Sequence, residues 1–281
     1  MAVEFRLKLL SAELLTFLAV QLIALFVGWR LVSTGQVDFQ PVGQSIGSFL
    51  IAFAIATTLI ILFIKFIKFN FAYKGFFALI LFVGSSIVFS AFFPEWIAFF
   101  LAVGVVAVRF LIPNILTHNL ALFLALAGVS AQLGTFLRVP AVIIILIALS
   151  IYDVIAVFKT KHMVTMFKSL MDRGAVMGLV IPEKLSDLGR PTHHAVKAKL
   201  SKSDKKQFIM LGGGDIAFPA MFAISALAEY GLAQSIGIVA GSLFGIAAIH
   251  FLFIFGKVKA LPALPPLAIC SIAGFLISFL L

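Results

Sequence analysis

The chain has 281 residues, of which 63% are hydrophobic and only 11% charged. A soluble protein carries about a quarter of charged residues, so this composition excludes a soluble globular protein. The formal net charge of +10 is compatible with nucleic-acid binding, but the basic residues follow a membrane-orientation pattern instead, and no nucleic-acid partner is expected.

Apolar runs recur along the whole length, and each is long enough for a helix to cross the hydrocarbon core of a bilayer. The predicted spans are Leu9–Leu31, Ile46–Phe66, Phe76–Phe93, Trp96–Ile112, Leu120–Leu137, Val139–Phe158, Phe208–Leu227, Ile236–Phe255 and Leu261–Leu281. The predicted fold class is therefore an all-α polytopic membrane protein with nine transmembrane helices.

The basic residues are unevenly distributed between the two ends of these spans. With the N-terminus inside, 19 Lys and Arg residues lie on the inner side, and only Arg30 and Arg138 lie on the outer side. Membrane proteins carry their excess of Lys and Arg on the cytoplasmic side. The N-terminus is therefore predicted in the cytoplasm and the C-terminus outside.

Residues 159–207 form the longest hydrophilic stretch, with eleven basic and four acidic residues and a formal charge of +7. A solvated, partly disordered cytoplasmic loop near anionic lipid headgroups accounts for this composition. Within it, the apolar segment Val176–Ile181 is followed by Pro182. This segment is compatible with a short edge strand that offers main-chain hydrogen bonds to an extended peptide, with Val180 and Ile181 as substrate contacts.

Two carboxylates lie deep in predicted spans. Asp153 is six residues before Lys159 in the sixth span, so it is roughly 9 Å from the inner face if helical. Asp215 is nine residues after Lys206 in the seventh span, roughly 13 Å from the same face. Acids at matching depth on consecutive helices are placed to face one another. A charge at such depth is costly and is typical of a functional site.

Two close carboxylates in a low dielectric share a proton and titrate as a pair. The ionised member can accept a proton from water while the protonated member polarises a carbonyl, as in aspartic proteases. This chemistry requires no metal or cofactor. Paired intramembrane acids also form proton or cation relays in channels and transporters, and a purely structural pair is the third alternative.

Glycines and prolines surround these acids. Gly212, Gly213 and Gly214 precede Asp215, and because they lack a Cβ atom, a helix, a peptide backbone or water can come close to the acid. The ninth predicted span opens with Pro262, Pro265 and Pro266, which resist helical continuation and predict a locally unwound backbone. Such backbone is tolerated at membrane depth only beside protein or a cavity, which is suited to receiving a substrate chain.

These elements together resemble the presenilin and signal peptide peptidase family of GxGD intramembrane aspartyl proteases. The matching residues are Tyr152-Asp153, Gly212-Gly213-Gly214-Asp215 and Pro262-Ala263-Leu264, in order and on the sixth, seventh and ninth spans. The nine-span plan and the inner loop fit as well. The short chain is most similar to compact archaeal homologues, which implies an archaeal cell membrane.

The resemblance implies a presenilin-like fold and an Asp153/Asp215 dyad that cleaves peptide bonds of transmembrane helices within the bilayer. It implies that Gly212 and Gly214 let the seventh span pack at the site, and that Leu261, Pro262, Ala263 and Leu264 shape the site, with Tyr152 and Gly213 beside the acids. Residues 1–137 would form a scaffold and residues 138–281 the catalytic part. Accessory subunits are not expected to be required, and a homo-oligomer is compatible with the sequence.

Overall fold

The computed structural model describes residues 2–67, 69–159, 170, 174, 176–182, 185–192, 208–255 and 262–280. In these residues, the chain forms nine helices of 14 to 32 residues and one two-stranded antiparallel sheet. The helices are α1 Ala2–Ser33, α2 Val42–Phe66, α3 Asn70–Ser90, α4 Glu95–Leu111, α5 Ile115–Phe136, α6 Val139–Val154, α7 Gly213–Glu229, α8 Leu232–Phe255 and α9 Leu264–Ile277. The strands are β1 Gly178–Pro182 and β2 Phe208–Gly212.

The prediction of a helical multi-pass membrane protein is confirmed, but the count of nine transmembrane helices is not. In the described part of the chain, six helices are long and apolar enough to cross a membrane, namely α1, α2, α3, α5, α6 and α8. Helix α6 reaches this length because a π-helical turn, Ile155–Lys159, continues it to 21 residues. Helices α4 and α7 have 17 residues each and α9 has 14, below the 18 needed for that assignment. Helix α7 is shorter than predicted because its first residues belong to β2.

The seventh predicted span, Phe208–Leu227, is wrong at its start. Phe208–Gly212 forms β2, which pairs with β1 so that Met210 lies opposite Val180. A short apolar run has the same pattern in a buried strand and in a helix, so the sequence did not separate the two. Asp215 therefore lies in the first turn of α7 rather than well inside a helix. The helical rise used to calculate its depth does not apply to Phe208–Gly212, because strand residues advance about 3.3 Å each.

The edge strand predicted at Val176–Ile181 is present, and it runs from Gly178 to Pro182 as β1. A 3-10 turn at Leu185–Gly189 follows it, and most of the remaining basic loop lies outside the described residues. The segment after β1 is fixed to the start of α5, because Ile115 N–H donates to the Arg190 carbonyl at 3.1 Å.

Helix α5 is the most buried of the six membrane-crossing helices and packs against α1, α3 and α7. Helix α2 is the least buried of them, and its main packing partner is α6. The bundle is thus built around α5, which contacts both the sheet and the helix that carries Asp215.

Small residues bring α8 and α9 into close contact. A Cβ atom added at Gly237 would lie 2.6 Å from the Gly274 carbonyl oxygen, and one at Gly241 would overlap the Cys270 carbonyl. Small residues allow such close approach of helix backbones in membranes. It holds α9 against α8 and so fixes the position of the N-terminus of α9.

Buried polar pairs connect α1 to α8. The His250 ring Nδ1 lies 2.7 Å from Glu13 Oε2, and Gln21 Nε2 donates to Ser242 Oγ at 3.0 Å. Buried polar groups need such partners, and hydrogen bonds across helices contribute to packing in membranes. His250 is therefore a packed histidine that joins two helices.

Candidate active site

Asp153 is the second-last residue of α6 and is 7% exposed. Its Oδ2 atom accepts a hydrogen bond from the Leu264 backbone N–H at 3.2 Å. Leu264 is the first residue of α9, and the first N–H groups of a helix have no partner within the helix. The carboxylate of Asp153 thus occupies the N-terminus of α9, and this contact fixes its orientation.

The prolines at the start of α9 determine which backbone amides are left to bind this carboxylate. Pro262, Pro265 and Pro266 have no backbone N–H, so the amides of Ala263 and Leu264 are the donors that this turn retains. Both amides interact with Asp153. Pro262 and Leu264 are buried and Ala263 is half-buried. Leu261, which the sequence also placed at the site, lies outside the described residues.

Asp215 is half-buried and lies in the first turn of α7. Its carboxyl group interacts with the Gly212 backbone and with the charge of Asp153. Helices α6, α7 and α9 contact one another, so the two acids approach from neighbouring helices beside the N-terminus of α9. Asp153 and Asp215 therefore lie close enough for their charges to interact.

The three glycines before Asp215 have different surroundings. A Cβ atom at Gly212 would lie 2.7 Å from Asp215 Oδ2, and one at Gly213 would lie 3.1 Å from the Met177 carbonyl and 3.2 Å from Leu126. Gly214 is exposed, and its nearest neighbour would be the Phe218 ring at 3.5 Å. Close packing therefore occurs at Gly213 rather than at Gly214, which leaves an open surface next to the acid.

Gly212→Ala is expected to lower the peptide cleavage that the sequence resemblance implies about tenfold, because small displacements of a reacting group are costly. The backbone at Gly212, with φ −64° and ψ 139°, suits alanine, so the added methyl group acts on the Asp215 carboxyl and not on the backbone. Initial cleavage rates of the purified variant measure the effect. Gly104→Ala in α4 is the control, because a Cβ atom there meets nothing within 4 Å. Equal rates for both variants would contradict the prediction.

Tyr152 connects α6 to α2 beside the acid. Its ring packs edge-on against Phe53 with a centroid distance of 5.4 Å, and its hydroxyl group hydrogen-bonds to Thr57. The neighbouring charge of Asp153 also acts on this hydroxyl group. Tyr152 therefore orients the end of α6 that carries Asp153.

The backbone groups of β1 are already occupied. Val180 N–H donates to Asn119 Oδ1 at 3.0 Å, and the Val180 carbonyl accepts from Asn119 Nδ2 at 2.7 Å. Backbone groups of alternate strand residues point to opposite edges, so those of Ile181 point towards β2. The predicted use of Val180 and Ile181 as a free edge for a peptide is wrong, because neither residue has a free backbone group.

The open edge of the sheet belongs to β2 instead. Met210 lies directly opposite Val180, so its N–H and carbonyl groups point away from β1. Gly212, two residues further on, has the same orientation and interacts with Asp215. The outer edge of β2 therefore leads to the acid. Sequence reasoning missed Met210 and Asn119; the only signal for Asn119 was a polar residue at the start of an apolar run.

No group of three or more His, Cys, Asp or Glu side chains able to hold a metal ion occurs in the described ranges. The chemistry available at this site is that of two carboxyl groups, a helix N-terminus with the amide donors of Ala263 and Leu264, and a strand edge. Such a combination can bind an extended peptide and exchange protons with it.

Comparison with known proteins identifies similar folds and a matching family. Two crystal structures of a presenilin family intramembrane aspartate protease, in the C222 and P2 space groups, resemble the chain with TM-scores of 0.63 and 0.66. Each match has 24% sequence identity and covers 95% of this chain and 96% of the other. No curated protein sequence matches the chain. The sequence model of the family described as "Signal-peptide peptidase, presenilin aspartyl protease" matches residues 14–281, so the chain belongs to this family, as its motifs indicated.

Proposed function

We propose that the protein is an intramembrane aspartyl endopeptidase that hydrolyses peptide bonds of transmembrane helices with Asp153 and Asp215. The observation that carries this proposal is the convergence of the two acids beside the N-terminus of α9 and the outer edge of β2. Family membership supports the same activity.

The proposed chemistry needs one proton on the pair. The ionised carboxylate takes a proton from water as the water oxygen attacks the carbonyl carbon of the substrate peptide bond. The protonated carboxyl group donates to the carbonyl oxygen, which carries the developing negative charge. The carboxyl group that took the proton from water then gives it to the nitrogen of the scissile bond as the C–N bond breaks. The other carboxylate takes a proton back from a hydroxyl group of the tetrahedral intermediate as the carbonyl re-forms, so the pair again holds one proton.

A substrate helix must unwind before attack, because its carbonyl groups are in internal hydrogen bonds. We place the unwound segment on the outer edge of β2, where Met210 offers one N–H and one carbonyl group. Addition of a strand to a sheet edge supplies affinity through main-chain hydrogen bonds and does not require one particular sequence. Gly214 leaves room for that backbone next to Asp215.

The proposal also includes the predicted domain organisation, membrane orientation and partners. Residues 1–137 act as the scaffold and residues 138–281 as the catalytic part, with the N-terminus and residues 159–207 in the cytoplasm. The acids, the strand edge and the helix N-terminus belong to one chain, which supports activity without accessory subunits. The partners are transmembrane helices and the lipid bilayer.

Purified protein in detergent with a labelled single-span peptide tests the proposal. We expect cleavage that is blocked by transition-state mimics of aspartyl proteases. A channel or proton-coupled transporter with the same acids would instead move ions in vesicles without cleaving the peptide, and an inactive scaffold would do neither. The family comparison supports neither alternative.

A further inference from the structure

Asn119 of α5 binds β1 in the way that a neighbouring strand would. Its side-chain amide presents one acceptor and one donor, and both are bonded to the backbone of a single residue, Val180. Asn119 is 7% exposed and Val180 is fully buried, so water does not compete for these bonds. A side-chain amide thus closes the outer edge of β1 at its middle residue.

The preceding residue of α5 makes a second contact with β1. His118 Nε2 lies 3.0 Å from the Gly178 carbonyl, and Arg109 Nε donates to His118 Nδ1 at 3.1 Å. Arginine has no acceptor, so Nδ1 accepts and Nε2 carries the hydrogen that is donated to Gly178. Arg109 therefore selects the tautomer of His118 that binds the strand.

Arg109 is held by its own surroundings. It is buried, and its guanidinium group lies 5.8 Å from the centre of the Phe77 ring and 5.9 Å from that of Phe110. Cation–π contacts of this kind hold a guanidinium group where water is scarce. We refer to Arg109, His118 and Asn119 together as the strand clamp. It connects α4 and α5 to the outer edge of β1.

The structure also connects the strand clamp to the acids. Beyond the sheet, Gly213 N–H donates to the Met177 carbonyl at 3.2 Å, which continues the pairing of β1 and β2 into the first turn of α7. Further along, Ser130 of α5 donates to the Ala217 carbonyl of α7 at 3.1 Å. Displacement of β1 would therefore be transmitted to β2 and to the turn that contains Asp215.

We infer that Asn119 and His118, the latter oriented by Arg109, are positioning residues for cleavage. The strand clamp closes the outer edge of β1, so an unwound substrate pairs with β2, and it fixes the register of β2 relative to Asp215. This inference rests on the proposed function. It predicts that loss of the strand clamp changes the affinity for the substrate and the position of the cleaved bond more than it changes the rate of the chemical step.

Asn119→Leu removes both hydrogen bonds at similar volume. We expect KM for a single-span peptide to rise about tenfold, because two buried hydrogen bonds are lost and their strand partners are left unpaired. The kcat value per active site, counted by titration with a tight-binding transition-state mimic, is expected to change by less than about threefold. Mass spectrometry of the products is expected to show cleavage at neighbouring bonds as well as at the original one.

Two further variants make the test specific. Arg109→Met keeps the apolar volume and removes the donor to His118 Nδ1 together with the cation–π contacts to Phe77 and Phe110. Both strand bonds of Asn119 remain, so the same changes are expected at a smaller size, about threefold in KM. Thr135→Val is the matched control, because Thr135 is a buried polar residue of α5 whose hydroxyl group bonds within its own helix, to the Gln132 carbonyl. It is expected to retain the KM and the single cleavage position of the unmodified protein.

Hydrogen exchange supplies a readout that does not depend on activity. The amides that pair β1 with β2 are expected to exchange faster in Asn119→Leu than in Thr135→Val. The inference is overturned if amide exchange in the sheet is the same in both variants. It is also overturned if the cleavage rate of Asn119→Leu falls only in proportion to its number of active sites and the single cleavage position is retained. If the unmodified protein cleaves no peptide, the proposed function fails, and the exchange experiment still decides whether the strand clamp holds the sheet.

Discussion

Replacement of Asp153 or Asp215 by alanine is expected to lower cleavage of a single-span peptide to background, a loss of at least about 10⁴-fold. Each carboxyl group has a separate task at every moment of the reaction, one as proton acceptor and the other as proton donor. The remaining acid therefore cannot replace its partner. Product formation by purified variants in detergent, followed over hours, measures the loss.

The Asn variants separate chemistry from folding. Asp153→Asn keeps an oxygen that can accept from Leu264 N–H, and Asp215→Asn preserves the side-chain shape, so both proteins should fold while losing cleavage. Asp38→Ala removes an exposed acid and is expected to retain full activity. Measurable cleavage by Asp153→Asn, with a single proton-transferring group left, would rule out the two-carboxylate mechanism.

The acids and the prolines were predictable because each breaks a local rule. An ionisable residue inside an apolar run has to be compensated, and three prolines at the start of a predicted helix remove the donors that the helix would use. In the structure, the acid and the proline-rich turn meet in one contact, because the Leu264 amide, which the prolines leave available, binds Asp153. The sequence alone identified both partners but not the bond between them.

The strand edge was not predictable in the same way. Phe208–Gly212 is apolar throughout, and a buried strand and a buried helix look alike over five residues. Which edge of the sheet is open depends on register, and a slip of one residue would reverse it. The register follows from contacts such as that of Asn119 with Val180, which lie 61 positions apart in the chain. Local sequence patterns carry no information about a contact between residues so far apart in the chain.

Met210→Pro is expected to lower kcat/KM for a transmembrane peptide about 100-fold, because a substrate carbonyl loses its donor and meets the proline ring. The Met210 N–H points away from β1, so no bond between the strands is lost. Proline is tolerated on strand edges whose N–H faces outward, and the variant should therefore keep its fold. Cleavage rates at substrate concentrations well below KM measure the effect.

Two neighbouring variants show whether the loss comes from the outer edge. Met210→Ala shortens the side chain but keeps the N–H, so kcat/KM should stay within about threefold of the unmodified protein. Ile209→Pro removes a donor that faces Ile181, so it should weaken the sheet itself and lower thermal stability as well as activity. If Met210→Pro cleaved as well as Met210→Ala, the substrate would not pair with β2. The acids would then receive an unwound chain held by side-chain contacts alone, without the register that a strand edge provides.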